Sequence, residues 1–162
     1  LHESDKDQHG FLVECWPCGL VVEIGPVAQG LINAEMVSKT KLTLEVCLEE
    51  IAKVKAGEAK YPDNLIIHRH LGSIDFPRDD IGNPDYFIHK NVQDKDWQIL
   101  ENGDSLFQNL EGKIIRNSTK SNVVPVFINE AAYIEKNIAM SLTKREVWQF
   151  NSIWKTDLQS LF

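Results

Sequence analysis

With 162 residues and a net charge of −7, the chain can bury a sizeable core, as one domain or as a small domain with part of another. Its lysines and arginines are scattered rather than clustered, which argues against a nucleic-acid partner, because phosphate binding needs a concentrated basic face. No run approaches the roughly 18 uninterrupted apolar residues of a membrane span, so no membrane partner is expected.

Only four arginines are present, Arg69, Arg78, Arg116 and Arg145, so guanidinium forks for carboxylates are scarce. Three cysteines, an odd number, do not make a disulfide framework, and they point to a reducing cytoplasm. The head of the chain, Leu1-His-Glu-Ser-Asp-Lys-Asp, has no Met and no signal-like apolar core, and reads as an internal start in a fragment of a longer protein.

Residues 1–14 read as a loop entering a strand. Cys15-Trp-Pro-Cys18 has the spacing of a redox or zinc half-site. The redox version needs a helix to open at the motif, yet strand-like Leu20-Val-Val follows. A structural zinc needs two more ligands, and only His9 is close, so ordinary reduced thiols in a loop are expected.

Leu20 to Ile24 is a nearly continuous apolar run closed by Gly25-Pro26, which suits a strand buried on both faces of a parallel or mixed sheet. Glu23 stands in the middle of it. A charged carboxylate there costs several kcal/mol unless paired, which marks either a working residue or a structural partner for a lysine or a backbone donor.

From about Asn33 to Ala56 the period changes. Val37, Thr40, Leu44, Cys47, Leu48, Ile51 and Val54 recur at three and four residues, opposite Lys41, Glu45, Glu49 and Lys53. This predicts a helix with a solvated charged face, an i, i+4 pair between Glu49 and Lys53, and Gly57 as its stop.

After Lys60-Tyr-Pro-Asp the chain turns β-rich. Leu65-Ile-Ile-His, Tyr86-Phe-Ile-His, Lys113-Ile-Ile-Arg and Val123-Val-Pro-Val-Phe-Ile are short runs between turn signals such as Ile81-Gly-Asn-Pro and Glu101-Asn-Gly-Asp. A small barrel or sandwich is expected, with Pro125 at an edge or bulge. His68 and His70 share one strand face but make an incomplete metal site. The tail holds Trp148, Phe150, Trp154 and Phe162, expected as core filler.

Five segments carry a resemblance to a known family. They are Glu23-Ile-Gly-Pro-Val-Ala-Gln-Gly30, Ile88-His-Lys-Asn-Val-Gln-Asp-Lys-Asp-Trp97, Gly103-Asp104 with Phe107, Leu110-Glu-Gly-Lys113, and Pro125-Val-Phe-Ile-Asn-Glu-Ala-Ala-Tyr133-Ile-Glu-Lys136. In this order they resemble the aspartoacylases, zinc-dependent amidohydrolases.

The resemblance implies an α/β fold: the C-terminal part of a carboxypeptidase-like α/β sheet domain (residues 1–60), followed by a β-rich, barrel-like C-terminal domain (residues 61–162). It implies Glu23 as the catalytic carboxylate and Tyr133 as a substrate-binding residue, with Asn129, Glu130, Ala131 and Ala132 as the turn that fixes it. His89 and Trp97 fall on packing and turn positions. It also implies zinc, held by a His-x-x-Glu pair and a later His in an N-terminal half. That pattern is missing here, and His2-Glu-Ser-Asp5 has Asp where the family has Glu, so no metal ligand is assigned.

A second departure is that residues 1–22 contain no arginine where the family places one for substrate, and Lys6 is the only lysine there. The implied reaction is hydrolysis of an N-acyl amino acid, N-acetyl-L-aspartate first among them. A general base suits this role when burial raises a carboxyl's pKa toward the working pH. The alternatives are a related deacylase acting on another N-acyl amino acid and a non-catalytic binding or assembly module. A homo-oligomer is left open.

Overall fold

The computed structural model of the protein describes residues 20–28, 30–119 and 122–161, so the Cys15 and Cys18 motif, His2, Lys6, His9 and Phe162 lie outside the described residues. The described residues divide into two compact units, one built on Ile66–Trp148, the other on the described residues from Leu20 to Leu65 together with the tail from Gln149.

In the second of these units the long helix forms where its periodicity places it. Helix α1 (Ala34–Ala56) opens on Asn33, whose side-chain oxygen accepts from the amides of Glu35 and Met36 at 2.9 and 3.1 Å. It ends on Gly57 at φ 74°, a left-handed backbone that glycine adopts without a Cβ penalty. Lys53 pairs with Glu50 at 2.6 Å rather than with Glu49, and that bond and charge raise the ammonium pKa.

Among the described residues the apolar stripe stays uncovered. No residue of α1 is buried, and Leu44 keeps 60% of its surface exposed. The expected strand around Glu23 is absent: residues 20–28 form no strand, Leu20 is 76% exposed, and Glu23 is exposed. An apolar run becomes a strand only where a neighbour satisfies its backbone groups. Among the described residues no neighbour does so.

Helix α3 (Ser152–Ser160) is capped by Asn151 and packs with α1. Beside it Phe150 meets Tyr61 and Trp154 at 5.0 and 5.7 Å between ring centroids, but Trp148, Phe150 and Trp154 are only half-buried and are not the core filler expected of the tail. No described helix is long and apolar enough to cross a membrane.

The Ile66–Trp148 unit holds most of the β structure. Strands β1 (Asn64–Ile74), β5 (Val124–Val126) and β6 (Met140–Gln149) form one sheet in the order β1-β6-β5. Val124 pairs with Thr143 and Val126 with Ser141, antiparallel. The amide of Ala139 donates to Ile74 and that of Phe150 to Asp63, so β1 also runs antiparallel to β6. Pro125 thus sits on an edge strand, where its missing N–H costs no ladder bond.

Strands β2 (Phe87–Ile88), β3 (Ser105–Gln108) and β4 (Ile114–Arg116) make a second antiparallel sheet with β3 central and a bulge between Ser105 and Phe107. Ile88, Leu100, Phe107, Val123, Ile128 and Met140 belong to one buried cluster. The β-rich expectation holds, and no closed barrel forms among the described residues. The described residues form two three-stranded sheets, neither closed on itself, and no parallel sheet.

Candidate functional site

Tyr133 sits on a turn built almost entirely from irregular backbone. Leaving β5, the chain takes Phe127 and Asn129 through positive φ, 56° and 57°. For a bulky side chain this costs about 1–3 kcal/mol and persists only when neighbours over-determine it. They do so here: Asp96 Oδ1 accepts from the Ile128 amide at 3.2 Å, and the Ala139 carbonyl accepts from the Asn129 amide at 2.8 Å. Asn129 also donates from its side chain to Gln93 at 3.4 Å.

The short helix α2 (Ala131–Ile134) follows, with the Tyr133 amide donating to the Glu130 carbonyl at 2.9 Å. It closes on Asn137 at φ 57°, with the Asn137 amide bonded to the Ile134 carbonyl and the Ile138 amide to the Tyr133 carbonyl at 3.2 Å. This paired closure over a left-handed residue is the Schellman arrangement. The half-buried Tyr133 ring meets Phe127 at 5.5 Å, and the Lys136 ammonium lies 5.3 Å from its centroid. Of the expected polar turn network, Asn129 contributes its amide and its side-chain bond to Gln93, whereas Glu130 contributes its carbonyl and no side-chain cap; Phe127, Lys136 and Asn137 were not singled out from sequence. Asn137, directly after a short helical run, is the signal that would have shown the turn's end.

Glu23 stands on the exposed segment in the other unit, with no hydrogen bond or ion pair among the described residues. The desolvation expected of a carboxylate inside an apolar strand is therefore absent from the described structure.

The two strand histidines have hydroxyl partners. His68 Nδ1 lies 3.3 Å from Thr143 Oγ1 and its ring meets Trp97 edge-on at 5.1 Å; burial lowers its pKa, and the charge of Arg145 adds to that. His70 Nε2 lies 3.4 Å from Ser73 Oγ. Trp97, at φ 67°, is a turn residue, and His89 is buried with its ring accepting from the Asn91 amide.

Arg69 is not free for a substrate carboxylate. Its Nη2 donates to Glu146 Oε1 at 2.6 Å, Trp148 donates to the other oxygen, and these bonds hold the Glu146 carboxyl at a pKa of about 2. Among the described residues no three His, Cys, Asp or Glu side chains gather as a metal site, so these residues do not fit a zinc ion.

Residues 63–145 match the family model of the AstE/AspA barrel-sandwich hybrid domain. A probable aspartoacylase of Prochlorococcus marinus strain NATL1A is 58% identical over 161 residues, covering 99% of this chain and 53% of the relative. One from Synechococcus sp. strain CC9605 is 47% identical over the same length, with 99% and 53% covered. Murine aminoacylase 3 matches with a TM-score of 0.70 and 32% identity, over 76% of this chain and 41% of that one. The chain spans about half the length of the curated relatives it matches.

Proposed function

The chain belongs to the aspartoacylase family, as its C-terminal part, and from that premise we propose that the whole protein hydrolyses the amide bond of N-acyl amino acids, N-acetyl-L-aspartate first among them. Water adds to the amide carbonyl, the carbon–nitrogen bond breaks, and the products are a carboxylate and a free amino acid.

In this reading Glu23 takes the proton from the attacking water and returns it to the leaving amine. Tyr133 donates its hydroxyl hydrogen bond to the substrate. Zinc belongs to residues outside this chain, and nothing in the roles given to Glu23 and Tyr133 depends on its geometry.

The observation that carries the proposal is the Tyr133 mount. Two left-handed residues and an aromatic contact, Phe127, Asn129 and the Phe127–Tyr133 pair, hold a half-buried phenol on the turn that follows edge strand β5. Strain of this kind clusters at working sites. The exposed run from Leu20 and the open stripe of α1 support residues 1–60 as the end of a sheet domain completed by the remainder of the protein. Residues 61–162 then form the β-rich part that presents Tyr133.

The test is to supply full-length protein with N-acetyl-L-aspartate and follow acetate and aspartate, with metal analysis on the same sample. Product release with about one zinc per subunit supports the reading. Full-length protein that releases neither product from any N-acyl amino acid would leave the binding-module alternative.

A further inference from the structure

The guanidinium of Arg78 joins three separate pieces of chain. Its Nε and Nη2 donate to the two oxygens of Asp75 at 2.6 and 3.2 Å, and Nη1 donates to the Gly82 carbonyl at 2.7 Å. Nη2 also donates to Asn137 Oδ1 at 2.7 Å, across 59 positions of sequence. Asn137 is the left-handed residue that closes the turn of Tyr133, and the amide after it bonds the Tyr133 carbonyl itself. A continuous chain of bonds thus runs from Asp75 through Arg78 and Asn137 to the backbone of Tyr133. Only a planar fork makes bonds in these fixed directions, because a lysine at this position would be a point charge that satisfies Asp75 alone.

We propose that Arg78 is a positioning residue for Tyr133, fixing the tyrosine's turn through Asn137 while Asp75 and the Gly82 carbonyl hold the arginine. The proposal rests on the reading that Tyr133 contacts the substrate. The Arg78–Asp75 pair keeps about 30% of its side-chain surface exposed, so solvent screens it and its worth to global stability is small. The effect on the turn is therefore readable against an intact fold.

The test uses the full-length protein, N-acetyl-L-aspartate as substrate, and fluorotyrosine labelling, with the Tyr133 fluorine resonance identified by its loss in Tyr133→Phe. Arg78→Lys keeps the charge and loses the fork. Asn137→Gly keeps the left-handed backbone and loses the acceptor, and Asn137→Asp keeps both. We expect Arg78→Lys and Asn137→Gly each to lower kcat/KM roughly tenfold, mainly through KM, with Asn137→Asp near wild type.

In a Tyr133→Phe background the Arg78→Lys change should cost less than about twofold more. The Tyr133 resonance should shift in Arg78→Lys and stay in place in Asn137→Asp. An unmoved resonance in Arg78→Lys, or an equal kinetic cost in both backgrounds, overturns the positioning role. A shifted resonance together with wild-type kinetics in Tyr133→Phe upholds the positioning and overturns the substrate contact instead.

Discussion

The Ile66–Trp148 unit and the unit around α1 differ in what each can bury for itself. The first closes its sheets over Met140, Val126, Ala139 and Thr143, all fully buried. In the second no described residue is buried, although its helix is well capped at both ends. Capping and ion pairs decide where a helix starts and stops, but burial of its apolar face supplies most of its stability. The two candidate residues divide the same way. Tyr133 is fixed by its own unit, whereas Glu23 stands on a segment whose surroundings the described chain does not build.

The largest expected effect breaks the comparison at function. The 162-residue chain alone should bind zinc weakly or not at all and release no product from N-acetyl-L-aspartate, while full-length protein does both. Turnover or stoichiometric zinc in the chain alone would show that the α1 unit needs no completion.

Stability is the next expected difference. Met140→Ala should cost about 2–5 kcal/mol in chemical denaturation, the range for emptying a core site. Leu48→Ala, at 58% exposure on α1, should stay within about 0.5 kcal/mol in the same chain. Equal losses would mean that α1 is packed as firmly as the sheets.

For Tyr133→Phe in the full-length enzyme, kcat/KM should fall by roughly 1–3 kcal/mol equivalent with little change in melting temperature, since the ring and its packing stay while one donor goes. A fall in stability with unchanged kinetics would return Tyr133 to an ordinary packing role.

The smallest effect is in pH. Bonds from Arg69 first, then Trp148, lower the Glu146 carboxyl from 4.5 to about 2 in the folded state. A carboxyl depressed by folding stabilises the protein above its unfolded pKa, and the contribution is lost as pH falls through the folded one. The melting temperature should therefore fall as pH drops from 4.5 to about 2, and Glu146→Gln should flatten that slope. An unchanged slope would remove the pair from the stability of this unit.

Much of the fold can be read from local signals. The helix from Asn33 to Gly57, the runs that became β1, β2, β4 and β5, and the edge position of Pro125 all follow from period and turn chemistry. Strand β3 was missed because its four residues are mixed in polarity, and β6 because Thr143, Lys144 and Arg145 mask its alternation. The strand around Glu23 fails for a different reason: periodicity reports what a segment could bury, and no neighbour among the described residues pairs with it. At the site, the motif holding Tyr133 is visible in sequence. The role of Arg78 is not, because its bond to Asn137 joins residues far apart in the chain.

The most direct test of the catalytic claim is Glu23→Gln in the full-length enzyme, assayed on N-acetyl-L-aspartate beside metal content and melting temperature. The account predicts retained zinc and fold with kcat reduced by about 10²–10⁴, the range for removing a general acid or base. A kcat near wild type would contradict it.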